Sequence, residues 1–237
     1  MKNTTSPVSS KRAFRVLYSN VASVLNKLDE LSSYAFEINP DFIAICESCG
    51  HADLNDAFFS IPGYEVVCRN DRKDTTLGIG GGLLIYARND MVGRISEYTT
   101  PELDNFTQSS AIKVRLEGNS EVTLVLFYRP HHIYKDKEKQ PGLTAANNEK
   151  LCDLLHILPK PYVMVGDLNY SNIDWVTLSS DSAGADFLMA TEENFLSQHI
   201  DFATHNSGTQ PDVVLSSNPD SVLDVTELCT SAAVITR

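Results

Sequence analysis

The chain has 237 residues, of which 42% are hydrophobic, so it is long and apolar enough to bury a substantial core. It carries 31 Asp and Glu against 19 Lys and Arg, which gives a net charge of -12. The overall field therefore repels polyanions, and a phosphate-bearing ligand needs a local basic patch or a metal ion. No stretch of about 18 apolar residues occurs, so we expect no membrane-spanning segment.

The N-terminal segment, residues 1–13, is rich in Ser, Thr and Lys and predicts a disordered arm. It lacks the apolar stretch of a signal peptide, and the cysteines number five, an odd count without regular spacing. We therefore expect an intracellular protein, nuclear or cytoplasmic, and not a secreted one. Residues 14–237 show no linker and no internal repeat, which predicts a single domain.

The first elements alternate between strand and helix. Residues 14–20, FRVLYSN, are β-branched and aromatic enough for a strand, and apolar residues at helical spacing begin at Val24. A continuous apolar run from Phe42 to Cys46 is typical of a strand buried on both faces. The order strand, helix, strand predicts an α/β fold in which helices cover a sheet.

Cys46 and Cys49 form a C-x-x-C motif at the end of this run. Such a motif can serve as a redox pair or as half of a zinc site. No second Cys or His pair with suitable spacing completes a zinc site. The simpler interpretation is two small residues at the end of a strand.

The middle of the chain predicts a glycine turn and a β-hairpin. Four glycines in residues 78–82 precede the run LLIYAR; a phosphate-binding loop would need a helix there, so we expect a turn or bulge beside close-packed backbone. The alternating segments SAIKVRL and EVTLVLFYRP, joined by EGNS, predict the hairpin. The lysines of the polar segment that follows, residues 131–142, could guide a phosphate backbone, but a solvated loop is the default expectation.

Helices and strands alternate again in the last third of the chain. A helix, capped by Thr144 or a nearby Asn, is predicted by the stripe Leu151, Leu154, Leu155 and Leu158. The apolar run PYVMVGD predicts the next strand. A helix around ADFLMATEENFLSQ and strands at PDVVLSS and SAAVIT complete the series.

Polar residues adjoin apolar strand-like runs at matching positions along the chain. These residues are Asn20, Glu47, Tyr128, Asp167, Asn169 and Asp212. Each has a simple explanation alone, such as a helix cap, a surface acid, a core aromatic or an Asx turn. Because strand ends in a layered α/β fold gather at one edge, where such folds build their sites, we expect these residues to form one site.

The types of these residues suit phosphodiester hydrolysis. Glu47 and an aspartate are hard oxygen ligands for a Mg²⁺ that keeps several waters and bridges to a phosphate oxygen. Asp167 can orient or deprotonate the attacking water, and Asn169 can donate to the phosphate without repelling it. A tyrosine hydroxyl can donate to the developing charge. Metal-assisted phosphodiester hydrolysis uses all of these roles.

Several motifs in the chain resemble one family. GDLN, residues 166–169, is similar to the GDFN motif of the exonuclease/endonuclease/phosphatase superfamily, which has the DNase I-like fold. The extension NYSNIDW and the pattern F-x-T-H-x-S-G-T-x-x-D-x-V-L narrow the resemblance to the endonuclease domain of non-LTR (LINE-type) retrotransposons, from about Phe14 to the C-terminus. The resemblance implies two packed mixed β-sheets flanked by helices, a four-layer α/β/β/α sandwich, and Mg²⁺-dependent nicking of DNA.

The resemblance also implies roles by position. Glu47 matches the metal-binding glutamate, and Asn20 matches the asparagine near the metal. Asp167 matches the acid that activates water, with Asn169 as its phosphate-binding partner. Tyr128 matches a tyrosine that contacts the phosphate.

The last motif of the family is altered in this chain. Asp212 matches the aspartate that orients a catalytic histidine, which the family places in a Ser-Asp-His motif at the final strand. Here the motif reads Ser231, Ala232 and Ala233, so the phosphate-binding serine is present and the two catalytic positions are lost. Deliberate inactivation, natural decay and a shifted alignment at the C-terminus each account for the alanines. The resemblance therefore implies an impaired endonuclease.

No other histidine is an obvious substitute, because none follows Asp212 in the sequence. His205 belongs to the pattern that contains Asp212, and His131 and His132 belong to the polar segment after Tyr128. Their positions in the sequence assign them no catalytic role.

Three functions are consistent with the sequence. The first is a LINE-type DNA endonuclease, active or crippled. The second is a catalytically inactive, domesticated pseudo-nuclease that binds nucleic acid or protein; the net charge of -12 favours a protein partner. The third is a phosphoesterase of the same superfamily acting on lipid or inositol phosphates, which the LINE-type motifs disfavour.

Overall fold

The computed structural model of the chain describes residues 14–71, 81–104, 108–129, 145–229 and 232–236. The predictions for residues 1–13, for the polar segment 131–142, for the Thr144 cap and for Ser231 lie outside these ranges. Within them, no helix is long and apolar enough to cross a membrane.

The described residues form two six-stranded mixed sheets. In chain order the strands are β1 (Arg15–Asn20), β2 (Phe42–Cys46), β3 (Tyr64–Asn70), β4 (Leu83–Arg88), β5 (Ile95–Glu97), β6 (Ser109–Arg115), β7 (Glu121–Tyr128), β8 (Tyr162–Asp167), β9 (Ser197–Gln198), β10 (Asp212–Ser216), β11 (Asp224–Cys229) and β12 (Ala232–Thr236). The first sheet has the order β11-β12-β1-β2-β4-β3, and the second has the order β5-β6-β7-β8-β10-β9.

Helices connect and cover these strands. Their bounds are α1 (Leu28–Ile38), α2 (Pro101–Asp104), α3 (Ala145–Ile157) and α4 (Ser182–Glu193). The helix predicted to begin at Val24 starts instead with a single 3-10 turn, and α1 follows it. Asn39 ends α1 in the left-handed conformation, with φ 48°.

Side-chain alternation along the strands builds four layers. In β1, Val16 and Tyr18 pack into the core between the two sheets, whereas Leu17 packs outward in a cluster with Leu31 of α1. The outer face of the second sheet packs against α3 and α4 in the same way. The predicted α/β/β/α sandwich is therefore confirmed.

Local predictions from the middle of the chain also hold. Segments β6 and β7 pair as the expected antiparallel hairpin. The glycine turn is described from Gly81 onward, where the carbonyls of Gly81 and Gly82 accept from the backbone N–H groups of Cys49 and Ser48. The predicted close approach of backbone is thus confirmed there. Four strands, β3, β5, β9 and β11, were not predicted. They are the edge strands of the two sheets and are partly exposed, so they show no continuous buried apolar run.

Gly166 is required where β7 and β8 run side by side. It pairs with Phe127 in the parallel register, and a Cβ at position 166 would overlap the carbonyl oxygen of Phe127. A side chain at this position would force the two strands apart directly before Asp167. The glycine of GDLN therefore has a packing reason that is independent of any chemistry.

We expect the Gly166→Ala variant to lose at least about 2 kcal/mol of unfolding free energy, because the added methyl group meets backbone that cannot rotate away. Urea unfolding followed by circular dichroism measures this loss. The matched control is Gly93→Ala, since a Cβ at Gly93 meets no atom within 4 Å. Equal stability of the two variants would contradict the packing argument.

Candidate active site

The inward-facing rows of several strands end in polar residues at one edge of the sandwich. Side chains two positions apart on a strand share a face. The buried apolar rows of β1, β7 and β8 end two positions before Asn20, Tyr128 and Asp167. Asp212 begins its strand, and because β10 runs antiparallel to β8, this first residue pairs with Asp167. The predicted site residues of both sheets therefore meet between the sheets.

Asn20 connects the two sheets at this edge. Its Nδ2 donates to Glu47 Oε1 at 2.9 Å and to Asp167 Oδ2 at 2.9 Å. Glu47 directly follows β2 of the first sheet, and Asp167 ends β8 of the second. One amide group thus holds two carboxylates from different sheets side by side.

Two site residues have unusual backbone conformations. Glu47 has φ 54° and Asn169 has φ 52°, both in the left-handed region. For residues other than glycine, sparsely populated conformations cost on the order of 1–3 kcal/mol each and cluster at functional sites. The chain turns sharply at both residues, directly beyond the ends of β2 and β8.

Tyr128 lies beside Glu47 and is 9% exposed. Burial, and then the negative charge of Glu47, raises the pKa of the Tyr128 hydroxyl well above its usual value, and the hydroxyl hydrogen-bonds to Glu47. Tyr128 therefore stays protonated and is a hydrogen-bond donor at neutral pH.

Asp167 and Asp212 are a buried pair of like charges. Their exposed fractions are 7% and 5%, and they lie opposite each other in the register of β8 and β10. Burial, followed by the charge of Asp212, raises the pKa of Asp167 to about 7. Burial also raises the pKa of Asp212. Two buried carboxylates that repel each other favour the binding of a proton or a cation.

Two hydroxyl groups hold Asp212, and the sequence did not reveal either. Tyr18 Oη donates to Asp212 Oδ1 at 2.5 Å across the two sheets. The hydroxyl of Thr204 also hydrogen-bonds to the carboxylate and lowers its pKa, while its oxygen accepts from the Asp212 N–H at 3.3 Å. Tyr18 could have been identified from sequence, because it lies two positions before Asn20 and so shares its face.

Arg129 braces the loop that carries Asn169, a role that the sequence also did not reveal. The backbone carbonyl of Arg129 accepts from Asn169 Nδ2 at 2.7 Å, and its guanidinium donates to the Leu168 carbonyl at 3.0 Å. That guanidinium lies 4.0 Å from the ring centre of Tyr170. The N–H of Asn169 donates to Asp167 Oδ1 at 3.1 Å. These contacts orient Asn169 and Asp167 together.

The two alanines of the altered motif lie at the same edge. In the antiparallel pairing of β12 with β1, Ala232 lies opposite Ser19 and Ala233 lies opposite Tyr18. Position 233 is therefore the cross-strand neighbour of the tyrosine that bonds to Asp212. Ser231 falls outside the described residues, so its predicted phosphate contact stays a prediction.

A cleft of about 360 Å³ opens over these residues. Its lining includes four carboxylates, those of Glu30, Glu47, Asp167 and Asp212. Where the chain is described, no three His, Cys, Asp or Glu side chains are grouped closely enough to enclose a metal ion. Mg²⁺, however, keeps several waters and needs only one or two protein carboxylates. Glu47, which Asn20 holds beside Asp167, provides such a carboxylate, so the donor set fits Mg²⁺.

The C-x-x-C cysteines do not act as a pair. Cys46 Sγ is buried and contacts the Phe127 carbonyl at 3.8 Å, whereas Cys49 Sγ contacts the Ala22 carbonyl at 3.6 Å. Burial raises the pKa of the Cys46 thiol well above its usual value, which makes it unreactive. The contacts support the simpler interpretation of two small residues at a strand end.

Comparison with known proteins identifies a family that matches most of the chain. Residues 16–227 match the Endonuclease/Exonuclease/phosphatase family. No curated protein is significantly similar to the chain in sequence.

Solved structures share the fold at low sequence identity. An AP endonuclease from Leishmania major superposes with a TM-score of 0.71 and 14% identity, over 95% of this chain and 87% of that chain. The endonuclease domain of TRAS1, a telomere-specific non-LTR retrotransposon, has a TM-score of 0.64 and 15% identity, over 95% and 98% of the two chains. A 3′ phosphatase from Neisseria, bound to a product DNA hairpin, has a TM-score of 0.59 and 16% identity, over 94% and 98%. These likenesses show the fold alone.

The raised pKa of Asp167 predicts an unusual dependence of stability on pH. The folded chain holds this proton up to about pH 7, whereas the unfolded chain releases it near 3.8. Stability is therefore present at low pH and is lost as pH rises through this window, by on the order of 2 kcal/mol. Urea unfolding in EDTA at pH 5 and pH 8 measures this loss.

The loss of unfolding free energy between pH 5 and pH 8, called the pH slope below, should be smaller in Asp167→Asn, which has no carboxylate to titrate at this position. The slope is compared rather than the absolute stability, because the amide also changes the hydrogen bonds to Asn20 and Asn169. Asp186→Asn, at an exposed position of α4, is the control and should keep the original slope. Identical slopes in all three proteins would show that Asp167 titrates normally.

Proposed function

Because the chain belongs to the Endonuclease/Exonuclease/phosphatase family, we propose that it is a Mg²⁺-dependent DNA endonuclease of LINE type whose activity is impaired. The observation that supports this proposal best is the Asn20 amide, which holds Glu47 and Asp167 together between the two sheets. This arrangement places a metal-binding carboxylate beside a carboxylate with a pKa of about 7. A base for an attacking water is most effective when its pKa is near the working pH.

Each residue of the site has a proposed role in phosphodiester hydrolysis. Glu47 would hold Mg²⁺, and a bound Mg²⁺ would neutralise charge at the phosphate. Asp167 accepts a proton from the attacking water. Asn169 has a second amide proton that can be donated to the phosphate, whereas the Asn20 amide and the Tyr128 hydroxyl already bond to carboxylates and hold them in place. Arg129 is a positioning residue, because it acts by bracing Asn169.

The impairment follows from the residues around Asp212. The chain has alanine at positions 232 and 233, so no histidine side chain at that point of β12 can bond to Asp212. The hydroxyl groups of Tyr18 and Thr204 form hydrogen bonds to the Asp212 carboxylate instead. Burial raises the pKa of the Tyr18 hydroxyl well above its usual value, so this group stays protonated at neutral pH and does not act as a base. We infer that Asp212 is retained as a structural carboxylate more than as part of a proton relay.

The LINE-type assignment and the DNA substrate rest on the sequence motifs, with support from the fold shared with the TRAS1 domain and with a Neisseria enzyme bound to DNA. The acidic cleft argues that phosphate enters only with a cation, since four carboxylates line it. A chain that binds DNA or a protein partner without cleaving DNA would instead be the catalytically inactive pseudo-nuclease, the second function given above.

We expect the purified chain to nick supercoiled plasmid slowly when Mg²⁺ is present and not at all in EDTA. Asp167→Asn should lower the nicking rate by at least about 10²-fold, because it removes the base. Asp186→Asn, an exposed carboxylate on α4, should leave the rate unchanged. Gel electrophoresis of nicked and supercoiled DNA measures the rate. Nicking that persists in Asp167→Asn would assign it to a contaminant or to another site.

A second set of variants tests the cause of the impairment. Ala232→Asp with Ala233→His should restore little nicking by itself, because Tyr18 already bonds to Asp212. Adding Tyr18→Phe frees that carboxylate oxygen, and the triple variant should nick about 10²-fold faster than the double variant. Tyr18→Phe alone controls for a general effect of removing the hydroxyl. Equal rates in the double and triple variants would show that Tyr18 is not the obstacle.

A further inference from the structure

His205 lies on the rim of the cleft that contains the candidate site. It lines this cleft together with Asn20, Glu47, Asp167 and Asp212. Its sequence position before β10 suggested no role, but the loop folds back so that the imidazole stands near Asp212. The two groups are close enough to interact, because burial raises the pKa of Asp212 and a positive charge on the His205 ring offsets part of that rise.

The loop that carries His205 is held tightly. The backbone N–H groups of Thr204 and His205 both donate to the Thr209 carbonyl at 3.1 Å, and the Gly208 N–H donates to the His205 carbonyl at 2.9 Å. Thr204 is joined to Asp212 by backbone and side-chain hydrogen bonds. The position of His205 relative to the carboxylates is therefore set by the fold rather than by chance rotation of a loose loop.

The hydrogen bonds of His205 define where its proton lies. The backbone N–H of Ser207 donates to His205 Nδ1 at 3.1 Å, and the Ser207 hydroxyl lies 2.7 Å from the same nitrogen. A ring nitrogen that accepts from a backbone N–H carries no proton, so the neutral imidazole is protonated at Nε2. Nε2 has no hydrogen-bond partner in the part of the chain that the structure describes, and the side chain is exposed.

The cleft has an excess of negative charge, so a phosphate that binds there needs a hydrogen-bond donor such as this N–H group. A phosphate that enters faces four carboxylates, none of which can donate a hydrogen bond when ionised. Lys27, the other basic residue among the described lining, forms an ion pair with Glu30 at 2.8 Å. His205 is therefore a basic group on the rim whose Nε2–H has no acceptor among the residues that the structure describes.

We propose that His205 is a catalytic residue that donates a hydrogen bond from Nε2–H to a non-bridging oxygen of the scissile phosphate. This inference rests on the proposed phosphodiesterase function and adds to it a donor from the loop before β10, where the alanine at position 233 provides none. It would also account for the slow nicking that the proposed function predicts for a chain with the altered motif. Among donors to a developing charge, a single one contributes about 10²–10³-fold in rate.

The test compares three substitutions in the full chain. His205→Ala should lower Mg²⁺-dependent plasmid nicking by about 10²-fold. His205→Gln should keep much of the rate, because its amide nitrogen replaces Nε2, whereas His205→Asn should not, because its amide replaces Nδ1. His156→Gln, at an exposed position of α3, should behave like the original chain. Full activity in His205→Ala, or a loss that follows His131→Gln/His132→Gln instead, would overturn the proposal.

A second measurement separates this proposal from the proposed function. In ¹⁵N-labelled protein, two-bond imidazole correlations should show His205 protonated at Nε2, and the signal should shift when phosphorothioate-linked duplex DNA is added with Mg²⁺. The His205→Gln variant identifies the signal by its loss. A proton on Nδ1, or a signal that DNA leaves unchanged, would overturn the role of His205. If the chain nicks no DNA but the His205 signal shifts, the proposed hydrolysis is refuted, whereas the proposed contact between His205 and the phosphate is supported.

Discussion

The face-to-face packing of two six-stranded sheets is the constraint on which the candidate site depends. Each inner row of side chains is apolar along the strand and polar at its last or first residue, so closing the core also assembles the polar edge. The Asn20 amide then joins carboxylates of both sheets at 2.9 Å each. The packing of the two sheets therefore determines both the stability of the core and the geometry of the site. A shift of one sheet relative to the other would separate Glu47 from Asp167.

The packing brings like charges together in a region of low solvent access. Asp167 and Asp212 oppose each other with little exposure, and the pKa of Asp167 rises to about 7 as a result. This is unfavourable for the folded chain alone at neutral pH and favourable for binding a divalent cation. The carboxylate pair therefore lowers the stability of the folded chain at neutral pH, and the left-handed backbone at Glu47 and Asn169 adds to that cost.

The environment of Asp212 distinguishes this chain from the pattern that its motifs resemble. Two hydroxyls satisfy the carboxylate, and the alanine at position 233 lies opposite the tyrosine that supplies one of them. A histidine is still present at the cleft, but it comes from the loop before β10 and is joined to Asp212 through Thr204.

Sequence patterns alone determined the layered α/β fold, most strands and the identity of Asn20, Glu47, Asp167, Asn169 and Asp212, because period-two apolar rows and their polar ends are local features of the chain. The four edge strands β3, β5, β9 and β11 were not predicted, because a partly exposed strand has no continuous buried apolar run. Only the tertiary structure decided that Tyr18 and Thr204 hold Asp212, that Arg129 braces Asn169 and that His205 reaches the cleft. Those contacts join segments far apart in sequence, as Tyr18 and Asp212 are, and no local pattern encodes a distance between two sheets.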